Sequence, residues 1–164
     1  MSIYRSLSIF EIAKILSYHS PEVFASIKGK GIIGSFYVFP YHKGSLVVVE
    51  VSGLPDKIDD CANNIYAMHI HNGTSCSGDV IDPFKNADGH FSKVICPHPA
   101  HSGDLPSLFS FNNQAWLAVY TERFRPLDIV GRTIIIHEHA EDFKTQPSGN
   151  AGKMIACGEI MVLK

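Results

Sequence analysis

Between residues 86 and 104 the chain reads NADGHFSKVICPHPAHSGD and carries His90, His98, His101 and Asp104. Imidazole with carboxylate is a ligand set for zinc, and imidazole also suits copper. Gly89, Pro97, Pro99 and Gly103 argue against a regular helix or a central strand here. Such a segment needs something other than a backbone ladder to hold its shape, and an ion closed by four ligands would do so. The plainer reading is a polar surface loop. Three histidines and an aspartate in one Pro/Gly-rich stretch favour the ion.

A second set of donors lies outside that loop. His69 and His71 form H-x-H on a predicted strand over 64–71. A period of two aims both rings to one side and turns Tyr66, Met68 and Ile70 to the other. H-x-H alone is a weak sign. A cupin would follow it with a carboxylate, which 72–75 (NGTS) does not supply, and a binuclear zinc hydrolase would read H-x-H-x-D-H. His137, ending a predicted strand over 132–137, is the natural further partner, with His139 as a competitor on pattern alone. His19 and His42 sit in polar surroundings and read as surface residues. Two donor sets result. The all-imidazole set, His69, His71 and His137, fits copper, and the mixed set, His98, His101 and Asp104, fits tetrahedral zinc. His90 falls between them in the chain, and spacing does not show that it joins both.

The elements that must position these residues are mostly strands. Short runs rich in Val and aromatics at 34–39 and 46–51 flank turn material at 40–44, a hairpin signal. Further strands are predicted at 64–71, 115–121, 132–137 and 154–162, with long irregular stretches at 72–112 and 138–152. Inward positions would include Phe36, Val47, Val49, Met68, Ile70, Trp116 or its neighbours, Ile134, Ile136 and Ile155. Seven or eight short strands of this kind suggest an antiparallel sandwich or barrel. Ahead of them, Ser8 and Glu11 form a capping box for a helix over 8–17. Its stripe of Ile9, Ile12, Ala13 and Leu16 is expected to pack on the main body.

Bulk composition narrows the function classes. The 164 residues are 45% hydrophobic, enough for one domain with a real core. A net charge of -2 gives no electrostatic case for nucleic acid or an anionic membrane surface. No apolar run reaches the roughly 18 residues of a membrane span. Glu11 and Lys14 interrupt the N-terminal apolar positions, a poor secretory segment, so the expected location is the cytoplasm. Cys61, Cys76, Cys96 and Cys157 allow three full pairings, and sequence alone does not choose among them. In a reducing cytosol only a protected, buried bridge would persist.

Five ordered segments, MHIHNG (68–73), GHF (89–91), HSGD (101–104), VGRTIIIHE (130–138) and GNAGKMIACG (149–158), resemble the copper/zinc superoxide dismutases. DPF (82–84), CPHP (96–99) and TQPSGNAG (145–152) resemble the bacterial branch of that family. The resemblance runs over about 24–160. It divides the chain into an N-terminal helical extension, 1–23, and a dismutase-like domain, 24–164.

The resemblance implies an all-β fold: an eight-stranded antiparallel Greek-key β-barrel with two long loops, beside the short N-terminal helix. It implies copper on His69, His71, His90 and His137, and zinc on His90, His98, His101 and Asp104, with the His90 imidazolate shared and able to pass a proton to the product. It implies a disulfide between Cys76 and Cys157, leaving Cys61 and Cys96 either paired or free. The implied activity converts superoxide to oxygen and hydrogen peroxide; the alternative is a non-catalytic metal-binding or metal-handling protein of the same fold. The family includes both monomers and homodimers. Three positions depart from its pattern. Met154 stands where a cation usually guides the anion, with Lys153 beside it but turned elsewhere by strand alternation. Glu141 replaces an Asp that links the two metal sides, with Asp142 adjacent as a substitute, and Ser148 replaces a Thr at the channel mouth.

Overall fold

The computed structural model describes residues 9–56 and 64–163. Its strands follow the two-residue alternation of apolar side chains. In β1 (Val23–Gly29), Val23, Ala25 and Ile27 are buried while Ser26 and Lys28 are exposed or half-exposed. β2 (Ile33–Tyr41) and β3 (Gly44–Ser52) form a hairpin in which Phe36 faces Val49 and Val38 faces Val47. Its turn is shorter than the 40–44 predicted, because pairing continues to Tyr41 opposite Gly44. His42 then turns the chain at a positive φ of 49°. Gly44 is required by close approach: a Cβ there would lie 2.0 Å from the Thr121 carbonyl oxygen of the neighbouring strand.

The remaining strands are β4 (Ile65–His71), β5 (Asp104–Phe109), β6 (Gln114–Thr121), β7 (Thr133–His137), β8 (Met154–Glu159) and β9 (Met161–Val162). All pairings are antiparallel, in the order β5-β4-β7-β8-β1-β2-β3-β6, with β9 added to β1. The end strands β5 and β6 are consecutive in the chain and meet through a turn at Phe111 and Gln114, so the sheet curls into a nearly closed barrel. This is the eight-stranded all-β architecture that the resemblance implies. Tyr66, Met68 and Ile70 of β4 fill the interior with Ile134 and Ile136 of β7.

Two expectations need correction, and the alternative left open at Trp116 is settled in favour of its neighbours. The region 72–112 is not wholly irregular, since 104–109 form β5. Pro106 hid this strand. It is tolerated because β5 is an end strand carrying a bulge: Tyr66 pairs with Leu108 and Met68 with Leu105, so β5 takes one residue more than β4. In β6 the inward residues are Ala115, Leu117 and Val119, while Trp116 is 62% exposed. The last strand is broken at Ile160, whose N–H turns to the Arg132 carbonyl.

Helix α1 (Ile9–Tyr18) lies on the outside of the barrel. Ser8 of the predicted capping box is outside the described residues. The face that packs is Ile12 and Ile15 rather than the Ile9–Leu16 stripe, and it covers Phe39, Tyr41, Leu46 and Val48. The Tyr41 hydroxyl donates to Glu11 at 2.9 Å, which sets the rotation of the helix about its axis. Val47 and Val49 thus enter the barrel while Leu46 and Val48 are covered from outside. Among the described residues no helix is long and apolar enough to cross a membrane.

Truncating Ile15 to Ala should therefore destabilise the protein by about 1 kcal/mol, roughly half the value of a fully buried aliphatic side chain. Phe10→Ala, on the face turned to solvent, should stay within about 0.5 kcal/mol. Denaturant midpoints check this contrast, and equal effects at the two positions would contradict the packing.

Candidate metal centre

The centre starts from the face of β4 that does not enter the core. His69 and His71 project from it, and both are buried. Two long loops cover that face. The first returns antiparallel to the end of β4: Phe91 N–H donates to Ile70 O and Asn72 N–H to Gly89 O. This extra rung pairs His90 with His71 and brings the His90 ring centroid to 4.0 Å from His69 and 5.0 Å from His71. His137 arrives from β7, which pairs with β4 on its other edge. Its ring lies 5.0 Å from His69 and 5.5 Å from His71.

On the other side of His90 the loop supplies His98, His101 and, at the first residue of β5, Asp104. His90 Nδ1 is 2.8 Å from Asp104 Oδ1, while His98 Nδ1 and His101 Nδ1 are 3.2 and 3.3 Å from Asp104 Oδ2. Two groups result, His69, His71, His90 and His137, and His90, His98, His101 and Asp104. Within each, one donor atom per residue lies within 4.8 Å of all the others. His90 is common to both.

The donor atoms fit metal ions. His69 Nδ1, His71 Nε2, His90 Nε2, His98 Nδ1, His101 Nδ1 and His137 Nε2 are buried without a hydrogen-bond partner. Leaving a buried polar atom unpaired costs roughly 1–3 kcal/mol. Six of them rival the roughly 5–15 kcal/mol of a domain's net stability. The opposite nitrogens are engaged. His71 Nδ1 donates to the Asp88 carbonyl at 2.6 Å, His137 Nδ1 to the Gly152 carbonyl at 3.2 Å, and His69 Nε2 faces Glu141 Oε2 at 3.3 Å. Each bond places the proton on the outer nitrogen and leaves the inner lone pair free to bind. Burial, reinforced at all three by the neighbouring rings, pushes His71 down to about 3 and His137 down to about 4, and pushes His69 down as well. These rings are neutral, as ligands must be, across the ordinary pH range.

Both loops are fastened from outside. A disulfide between Cys76 and Cys157 ties the first loop to β8, and with Ala87, Phe84 and Ile135 it forms a small apolar cluster behind the Asp88–His90 turn. Gln146 of the second loop clasps the first at both backbone groups of His98: His98 N–H donates to Oε1 at 2.9 Å, and Nε2 donates to His98 O at 2.8 Å. The Arg123 guanidinium donates to the carbonyls of Pro99, His101 and Asp104. The sequence reading missed both residues. Gln146 lies in a motif that it quoted, and Arg123 carries no local signal.

Glu141 spans the two groups, with Oε2 at 2.7 Å from His98 Nε2 and 3.3 Å from His69 Nε2. Burial raises its pKa, opposed by His98. Gly149 packs against this contact at a φ of 69°, and a Cβ there would lie 2.6 Å from His98 Nε2. Asp142 is occupied elsewhere. Its carboxylate accepts from the Thr145 hydroxyl and from the backbone N–H of Thr145 and Lys144, which holds its pKa down at about 2. His139 is remote from the cluster and lies 3.7 Å from Glu138. His19 and His42 are exposed, and Cys96 is a free thiol within the first loop; Cys61 is outside the described residues.

A cavity of about 580 Å³ opens over the first group and is lined by His71, His90, His137 and Met154. Lys153 and Ser148 also line it. Alternation alone would turn Lys153 away, but it precedes the first residue of β8 and is not bound by that alternation. Glu141→Ala should loosen His69 and His98 together and weaken metal retention by about 10- to 100-fold, the usual cost of losing an outer partner of a ligand. Competition with a chelator measures this, and undiminished retention would show that Glu141 does not position the rings.

Comparison with known proteins agrees with this geometry. The profile of the family described as copper/zinc superoxide dismutase matches residues 35–160. The chain is 30% identical over 168 residues to superoxide dismutase [Cu-Zn] 1 of Aquifex aeolicus, covering 92% of this chain and 91% of that one. It is 32% identical over 146 residues to a superoxide dismutase [Cu-Zn] of Deinococcus radiodurans, covering 77% and 76%. Among solved structures, the clock protein EA4 superposes with a TM-score of 0.69 at 25% identity, over 89% of this chain and 98% of that one. The match takes in most of the barrel and both loops that close over β4, and on that ground the chain belongs to the copper/zinc superoxide dismutase family.

Proposed function

We propose that the protein is an active superoxide dismutase, with copper held by His69, His71, His90 and His137 and zinc by His90, His98, His101 and Asp104. The observation that carries this reading is the convergence of six buried, unpartnered imidazole nitrogens into two groups that share His90. Copper, when bound, supplies the one-electron exchange that turns superoxide into oxygen and hydrogen peroxide, while zinc keeps a single oxidation state. The chain does the rest. His71, His90 and His137 line the cavity through which a small substrate reaches the first group. His90 turns Nδ1 toward Asp104, on the side where zinc would be held, and leaves Nε2 buried without a partner, so Nε2 is the atom that would take up a proton and give it to the departing product. Glu141 keeps His69 and His98 in register, and the loop clasps hold the site against collapse.

In this reading residues 24–164 are the catalytic domain, and 1–23 are an extension whose helix shields one outer face. Ile33, Phe109, Phe111 and Trp116 are exposed around one groove, the face through which a homodimer would form. A second reading, a metal-holding protein of the same fold without turnover, is favoured by one observation. Met154 lines the cavity where a guiding cation would serve an anionic substrate. A protein of Bacillus subtilis, 32% identical over 109 residues, is named superoxide dismutase-like.

Superoxide removal that is inhibited by cyanide, lost on chelation and restored by copper with zinc is the expected result. A fully loaded protein that leaves superoxide untouched supports the second reading. Met154→Arg should raise kcat/KM for superoxide by about three- to tenfold through steering. An unchanged value would show that Met154 does not limit capture.

A further inference from the structure

Asn72 and Arg132 lie in the segments 68–73 and 130–138, yet neither belongs to a donor set. Both act on the stretch that carries His90. Where that stretch pairs with the end of β4, the bonds run from Phe91 N–H to Ile70 O and from Asn72 N–H to Gly89 O. His90 and His71 are therefore opposed as a pair that exchanges no hydrogen bonds, and the His90 carbonyl points away from β4. The Asn72 side chain meets it there, with Nδ2 donating to His90 O at 3.1 Å. Among the described residues no other group donates to that carbonyl. Arg132 sets which end of the amide faces His90. Its Nη1 donates to Asn72 Oδ1 at 2.8 Å, which leaves Nδ2 for the carbonyl. The same guanidinium lies 3.9 Å from the centroid of the buried Phe91 ring, so it also bears on the residue after His90. Arg132 is half-buried and its own backbone is fixed: its N–H donates to Ile129 O, and its carbonyl accepts from Ile160 N–H. It directly precedes β7, whose last residue is His137. One strand thus ends in a member of the first group and begins beside the anchor of the ring common to both.

We propose that Arg132 and Asn72 are positioning residues for His90: they hold the main chain at 89–91 so that its ring stays between the two groups, an inference that rests on the two-metal reading. Loss of one neutral hydrogen bond shifts an equilibrium by about two- to tenfold. Retention of ions that share His90 should weaken by that factor when the bond to its carbonyl is removed. Asn72→Asp separates positioning from simple fastening. The carboxylate keeps the contact with Arg132 and strengthens it with charge, but it has no proton to give to His90 O. A fastening between Arg132 and position 72 survives this change, whereas the hold on His90 does not. The added negative charge by itself favours a cation, so weaker retention would report geometry and not charge.

The test compares the full chain and its Asn72→Asp variant, loaded with copper in the first group and with cobalt or zinc in the second. Two quantities are read. One is cobalt retention against a chelator, followed by the visible absorption of cobalt. The other is the copper hyperfine splitting in the electron paramagnetic resonance spectrum with zinc in the second group. Asn72→Asp should weaken cobalt retention by about two- to tenfold and shift the splitting, while the denaturant midpoint of the metal-free protein stays level or rises. The splitting is read only from folded molecules that hold copper, so it decides the matter where the substitution lowers the midpoint. Undiminished cobalt retention, or a splitting equal to that of the unsubstituted protein, would overturn the proposal. An unsubstituted protein that takes up neither ion sinks the two-metal reading and this inference with it; one that loads both ions and is indifferent to Asn72→Asp sinks the inference alone.

Discussion

A neutral imidazole buried with one bare nitrogen is unstable in position unless its other nitrogen is held. That constraint governs the structure. His71 and His137 are held by main-chain carbonyls and His69 and His98 by the two-sided contact of Glu141, while Asp104 faces His90 Nδ1 on the side of the second group, where both could donate to one ion. Every one of these holders comes from a loop or from the first residue of a strand. The barrel alone could present His69, His71 and His137, but it could not orient them. Two clasped loops must do so, and this explains why so much of the chain's covalent and polar reinforcement is spent outside the core.

The barrel contributes rigidity at the place where it is needed. β4 lies between β5 and β7, so its backbone is fixed on both edges while its period of two sends Tyr66, Met68 and Ile70 inward and His69 and His71 outward. The loop around His90 is then registered on β4 by the rung at Ile70 and Asn72, and on β8 by the disulfide. Gln146 and Arg123 fix the His98–Asp104 segment from two more directions. A ring displaced by an ångström would lose its share of an ion, and this density of fastening keeps seven side chains from three strands and a loop in one geometry.

Much of this was legible in the chain. The alternation in 64–71 gave the correct face to each residue of β4, and the run of histidines through 104 marked the loop that closes over it. What could not be read had physical causes. Pro106 argued against a strand, but at a bulge on an end strand proline costs little, so β5 was hidden. Trp116 looks like a core residue by type, but its place in the alternation of β6 turns it outward. The packed face of α1 was misread because Tyr41, thirty residues away, fixes the rotation through Glu11. Arg123 acts on carbonyls about twenty residues distant, and no local pattern announces a contact of that kind. The candidate ligand residues were visible because chemistry restricts their types; the residues that hold them were not, because backbone carbonyls can be held by almost any donor.

The central claim is that one imidazole, His90, joins two ions. Its most direct test is the copper electron paramagnetic resonance spectrum of protein carrying copper in the first group and cobalt in the second. If the ring bonds to both, it couples the two spins, and the copper signal should disappear when cobalt is added. A copper signal that persists at full intensity with cobalt bound would contradict the account.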